Sequence, residues 1–235
     1  EDLDAALRPR PPVSPAERAM RALVGTAARV RERGVAGMLS SSLDDLAAWA
    51  SDEQSDILQV AAPDGTVTLL FSDIEDSTAL NDRLGDKAWV RVLAAHDALV
   101  RAMVDKRRGR VVKTAGDSFM VAFRDPVAAV LAARGIQRAL ARTLDPRLRL
   151  TPVRVRIGVH TGTVISRDGD YFGRNVSMAA RVAALADGGE VLVTQAVRDE
   201  TSESGDRRMR FEEAGTVELK GLPGEHDLWR LVVET

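Results

Sequence analysis

What most constrains this chain is an alternation of elements that begins after the turn Pro63-Asp64-Gly65. Val67-Thr68-Leu69-Leu70-Phe71 is a short, β-branched and apolar run that closes on Ser72-Asp73, the pattern of a buried strand. From residue 86 to about residue 107, apolar side chains recur at Trp89, Leu93, His96, Val100 and Met103, which predicts a helix. Residues 110–113 and 118–123 are β-runs joined by Thr114-Ala115-Gly116-Asp117, a hairpin. Asp125-Pro126 opens a helix to about residue 141. A strand over 153–162, a helix over 176–186 and a strand over 191–194 follow, then a further helix and short strands over 209–214, 217–219 and 228–233. Strand, helix, strand, strand, helix, strand is the order of a ferredoxin-like α/β sandwich, so the expected class is α+β with an extension.

This unit is expected over residues 63–235, preceded by an N-terminal helical or linking segment over residues 1–62. Ser14-Pro15-Ala16-Glu17 is a helix start, with a capping hydroxyl, proline in the first turn and an acid at the third position. That helix runs to Arg33 and stops at Gly34, and a second covers residues 43–50. The segment carries a net charge of +5 over residues 8–33 and −5 over residues 44–56. Two readings of that charge stay open: solvated helix faces, or a regulatory or dimerising segment whose halves attract.

Composition removes several functions. With 33 Lys+Arg against 35 Asp+Glu the net charge is −2, which argues against a nucleic acid polymer as partner. The absence of cysteine excludes disulfides, thiolate zinc sites and cysteine nucleophiles. Uncharged stretches reach about ten residues, where a membrane helix needs roughly 20. Membrane contact is therefore expected only through a segment upstream of Glu1, and there is no signal peptide.

The usual catalytic motifs are missing: there is no GxxxxGK[ST], HExxH or GxSxG. A calcium loop starting at Asp168 fails, because Phe172 and Ala179 stand where ligands belong. Two carboxylates remain, Asp73 at the end of the first strand and Asp117 in the hairpin turn. If the hairpin pairs beside that strand, both emerge at one edge of the sheet. Their mutual repulsion is then relieved by a divalent cation such as Mg2+, which shares its oxygen shell with substrate phosphates. The alternative is that Asp73 caps the next helix and Asp117 serves its turn. Asp73-Ile74-Glu75-Asp76-Ser77-Thr78 leads from a strand into a helix whose first N–H groups can hold phosphate. Ser177 and Arg181, four residues apart, share one face of a later helix.

The segments FSDIEDST, VVKTAGDSFMVAF, RIGVHTG, GDYFGRNVSMAARV and VELKGLPG occur in that order. Together they resemble the catalytic domain of the class III nucleotidyl cyclases of actinobacterial type, over about residues 63–235. The resemblance implies conversion of ATP to 3′,5′-cyclic AMP and pyrophosphate, the 3′-hydroxyl attacking the α-phosphate with two Mg2+ or Mn2+ ions at the site. It assigns the metal to Asp73, Asp117 and the backbone of Ile74, and the adenine edge to Lys113 and Asp170. A donor and an acceptor suit that edge. Arg181 is then the cation that steadies the transferring phosphoryl group. Lys220 contacts the terminal phosphates, and Ser77 and Thr78 lie at the phosphate-holding helix start.

Where the family usually has Asn, four residues before the arginine, this chain has Ser177. Asn175 is about 200° away around a helix and so does not replace it; it is expected to cap the helix. The resemblance further implies a head-to-tail homodimer with shared sites, facing the cytoplasm. A guanylate cyclase and a nucleotide-binding regulatory domain without turnover are the alternatives; a diguanylate cyclase lacks its GG[DE]EF. Of the histidines, His160 is expected to be a structural hydrogen-bonder, His96 packed, and His226 exposed near a turn.

Overall fold

A computed structural model describes residues 60–62, 64–167, 170–206 and 208–234. The helices expected over 14–33 and 43–50 and the boundary proline at 63 lie outside the described residues. Strand β1 (Thr66–Ile74) carries no charge before Asp73, and every residue after Thr66 is buried. It is an interior strand of the sheet, and both of its faces are covered. Helices α1 (Ser77–Leu84) and α2 (Asp86–Asp105) follow, then the hairpin β2 (Arg110–Ala115) and β3 (Ser118–Phe123). Helix α3 (Pro126–Ala141) starts as expected, with Asp125 accepting the Val127 N–H at 2.8 Å and proline in the first turn. Asp145-Pro146 repeats that signal and opens α4 (Pro146–Leu150), a helix too short to carry an apolar stripe.

Strand β4 (Val155–Thr163) precedes a small second sheet of β5 (Ile165–Arg167) and β6 (Asp170–Phe172), where the sequence predicted neither strand nor helix. Helix α5 (Arg174–Leu185), strand β7 (Val191–Thr194) and helix α6 (Gln195–Ser202) come next. The two strands expected over 209–214 and 217–219 are one, β8 (Phe211–Leu219), bent where its register shifts between Glu213 and Gly215. Its partner β9 (Leu222–Leu231) starts six residues earlier than expected, because the pairing partner rather than local hydrophobicity sets its length. His226 therefore sits half-buried within β9, opposite Val217, and not near a turn.

The seven strands lie in the order β2-β3-β1-β4-β7-β9-β8. The first four reproduce the ferredoxin-like order, with β1 antiparallel to β3 and β4, while β4 and β7 are parallel. Helices α2 and α3 cover one face over Leu70, Ile74, Phe119, Val121 and Val159. On the other face α5 lies over Val67, Leu69, Phe71 and Met120. This close approach needs Gly158: a Cβ there would stand 2.1 Å from the backbone nitrogen of Ala183. Among the described residues no helix is long and apolar enough to cross a membrane.

Candidate active site

Because β3 pairs beside β1, with Ser72 opposite Phe119, the turn carrying Asp117 reaches the end of β1 where Asp73 emerges. Side chains alternate along a strand, so Asp73 shares the α5 face with Leu69 and Phe71. Asp73 and Asp117 are both buried. Ser118 Oγ donates to Asp73 Oδ1, and the Ile74 N–H donates to Asp117 Oδ2 at 3.1 Å. Burial first, and the charge of Asp73 second, push the Asp117 carboxyl up to about 7, against the opposing effect of hydrogen bonds that include Ser77 and Ile74. The pair is short of positive charge.

Part of that charge comes from Arg156. It stands opposite Asp73 in the β1–β4 register and donates to Asp73 Oδ2 from Nε at 3.0 Å and Nη2 at 2.6 Å. Sequence reading missed this residue, because pairing across 83 positions has no local signature. Its place at the head of RIGVHTG, on a strand neighbouring β1, was the available signal.

Lys113 lies opposite Met120, which itself faces Phe71, so it shares the α5 face with Asp73 two strands away. Two strand spacings are about 10 Å. Lys113 Nζ bonds Asp170 Oδ2, and Asp170 Oδ1 accepts the Tyr171 N–H at 2.8 Å. With side-chain exposures of 13% and 3%, the two are withdrawn from water and hold a donor and an acceptor side by side.

Ser177 and Arg181 are half-buried, one helical turn apart on α5. Asn175 does not cap this helix. The helix starts at Arg174 with Gly173 as N-cap, which puts Asn175 inside its first turn. There its Nδ2 donates to the Thr163 carbonyl at 2.7 Å and its Oδ1 faces His160 Nε2 at 3.0 Å. The other His160 nitrogen meets Thr194 Oγ1 at 2.9 Å, so this histidine is a structural hydrogen-bonder, and His96 is fully buried. Ser77 is the first residue of α1 and half-buried, and Thr78 beside it is exposed.

Lys220 is placed apart from the two carboxylates, although Leu219 and Leu222 on either side of its turn pack with Met178 and Val182 of α5. It is exposed in the turn between β8 and β9. Strand β9 is antiparallel to β7, β7 is parallel to β4, and β4 is antiparallel to β1, so β9 runs with β1. The turn before β9 is thus at the end of the sheet where β1 begins, and Asp73 is at the other.

Two carboxylates and a backbone carbonyl are hard oxygen donors, and their excess negative charge suits a divalent cation of the Mg2+ type. Among the described residues there is no cluster of three or more His, Asp or Glu side chains that could hold a metal.

The family model for the adenylate and guanylate cyclase catalytic domain matches residues 60–233. The chain therefore belongs to that family, the class III nucleotidyl cyclases. Receptor-type adenylate cyclase ESAG 4 of Trypanosoma brucei brucei is 32% identical over 208 residues, covering 72% of this chain. Receptor-type adenylate cyclase B of Leishmania donovani is 34% identical over 214 residues, covering 73%. The chain spans just 17% and 16% of the length of these two relatives. A solved structure of adenylate cyclases from Trypanosoma brucei, described in their monomeric state, superposes with a TM-score of 0.65 at 33% identity. It covers 72% of this chain and 90% of its own.

Proposed function

We propose that residues 63–235 form an adenylate cyclase that converts ATP to 3′,5′-cyclic AMP and pyrophosphate, with residues 1–62 as a helical or linking segment. The observation that carries this reading is the meeting of Asp73 and Asp117 at one end of β1 and β3, in a chain that also holds the buried Lys113–Asp170 pair. In the reaction the ribose 3′-oxygen bonds to the α-phosphorus while the bond to the bridging oxygen of pyrophosphate breaks. Pyrophosphate leaves with the electron pair, and the hydroxyl proton is released. Lys113 and Asp170 orient adenine, and the free N–H groups near Ser77 and Thr78 hold phosphate oxygens. Arg181, a permanently charged fork, stabilises the charge gathering on the transferring group. Asp73, Asp117 and the Ile74 carbonyl would hold two Mg2+ or Mn2+ ions, which when bound supply Lewis-acid stabilisation of the attacking and leaving oxygens.

The position of the Lys220 turn, at the end of the sheet opposite the carboxylates, supports a site shared between two chains. A head-to-tail homodimer then has two equivalent sites, and its nucleotide substrate puts the domain on the cytoplasmic side. The test is a cyclisation assay comparing ATP with GTP and Mg2+ with Mn2+, with Asp73→Ala as control. Cyclic AMP that vanishes in the variant supports the reading; cyclic GMP instead would make it a guanylate cyclase. ATP binding without product would make it a regulatory domain, a reading that Ser177 favours. Mixing Asp73→Ala with Arg181→Ala chains should restore activity through one intact site. Failure with folded, exchanging chains sinks the shared-site arrangement.

A further inference from the structure

The segment that leaves β1 is clamped to the loop between α5 and β7. Glu75 Oε1 accepts the Gly188 N–H at 2.7 Å, and Glu75 Oε2 lies 3.2 Å from Arg154 Nη1. Arg154 donates to the Gly188 carbonyl from Nε at 3.0 Å and from Nη2 at 2.6 Å. Its own carbonyl accepts the Glu75 N–H at 2.8 Å, and the Gly189 N–H reaches the Val155 carbonyl at 2.9 Å. Both polar groups of Gly188 are thus taken by side chains from the exit of β1 and the entry to β4. A larger residue at 188 must displace the clamp: a Cβ there would stand 2.4 Å from Glu75 Oε2 and 2.7 Å from Arg154 Cβ.

A lone ion pair as exposed as Arg154, at 66%, holds little. This one differs because it closes a ring through two backbone groups of a glycine that cannot be replaced without displacing the ring. The ring begins at the residue after Ile74 and ends on the loop that follows α5, the helix of Ser177 and Arg181. Arg154 neutralises Glu75 and turns its carboxylate toward Gly188.

We propose that Glu75 is a positioning residue of this site. It holds the peptide after Ile74 against the α5–β7 loop, and so sets where the Ile74 carbonyl and the Asp73 carboxylate meet a divalent cation. The inference rests on the cyclase reading above for the role of that cation, while the clamp itself does not depend on it.

The test uses the full chain, with Mn2+ alone as probe, followed by the paramagnetic signal of the free ion, and amide exchange measured in parallel. Glu75→Ala should accelerate exchange of the Gly188 amide and weaken Mn2+ binding about tenfold, the usual effect of losing a residue that orients a ligand. Glu75→Gln keeps an acceptor for that N–H and should lose less than Glu75→Ala. Gly188→Ala, which displaces the loop from the other side, should reproduce Glu75→Ala, and the double variant should be no worse than either. Should Glu75→Ala fail to fold, Glu75→Gln against Gly188→Ala carries the comparison. Unchanged Mn2+ binding with faster Gly188 exchange would make the clamp structural alone and overturn the proposal. Unchanged exchange would show that there is no clamp. A wild-type chain that protects Gly188 but binds no Mn2+ would overturn the metal reading, and the role of Glu75 with it.

Discussion

Arg156 and Asp73 face each other across the β1–β4 register, and the guanidinium holds one carboxylate oxygen through two N–H groups at 3.0 and 2.6 Å. The arginine is 18% exposed and the aspartate 2%, so water contributes little to either charge. A residue proposed to bind a cation is therefore already partnered by one. On the proposed reading, substrate phosphate and divalent ions arrive at a site where the charge of Asp73 is already paired, which limits the cost of holding two acids together.

Removing that partner exposes the cost. Arg156→Met should destabilise the metal-free protein by on the order of 3 kcal/mol, because it leaves a buried carboxylate uncompensated. Added Mn2+ should restore part of the loss. Urea unfolding with and without the ion is the measurement, and an equal loss in both conditions would show that Asp73 does not face the ion.

Asp117 makes stability depend on pH in a direction opposite to that of most carboxylates. Its folded value, about 7, lies above the ordinary 3.8, so the folded chain holds a proton that the unfolded chain has lost. The stability this provides is fully present below about pH 4 and disappears as pH rises through about 7. Asp117→Asn should remove that slope. The metal-free variant should be more stable than wild type at pH 8 and close to it at pH 4, while cyclisation is lost. Thermal unfolding at the two pH values without divalent ions decides it.

His160 works with the opposite sign. Asn175 Nδ2 is committed to the Thr163 carbonyl, so Oδ1 faces His160 and takes an N–H from Nε2, leaving Nδ1 to accept from Thr194. Burial lowers the His160 value below the ordinary 6.5, outweighing the bond to Asn175. The stability of the neutral ring is present above pH 6.5 and is lost as pH falls through the folded value. His160→Gln should cost about 1 kcal/mol at pH 8 through a poorer hydrogen bond and flatten the decline on acidification. Denaturation midpoints at pH 8 and pH 5 give both numbers, and a slope unchanged in the variant would move the acid sensitivity elsewhere.

Ser177 is one turn from Arg181 on α5, and on the proposed reading a longer amide there would reach further toward the reacting centre. Ser177→Asn should raise the turnover of ATP by about fivefold or more, the kinetic equivalent of a regained hydrogen bond of roughly 1 kcal/mol or above. KM should change less than kcat if the contact forms in the transition state. Steady-state kinetics of the two proteins would show it, and equal kcat values would mean that the hydroxyl already suffices.

Much of this architecture is written locally. The run from Val67 to Phe71, the stripe of α2, the hairpin turn at Gly116-Asp117 and the Asp-Pro start of α3 each depend on neighbours within a few residues, and each forms where the sequence placed it. Family membership is equally local, since it lies in short ordered segments. What the sequence left open depends on partners far along the chain. The length of β9 follows from β8, and Asn175 turns from cap to bridge because α5 starts one residue after Gly173. Arg156 meets Asp73 across 83 residues, and Glu75 meets Gly188 across 113. Periodicity reports which face a side chain takes, because geometry repeats every two residues in a strand and every 3.6 in a helix. It carries no information about which strand lies alongside, and the electrostatics of this site are set by that adjacency.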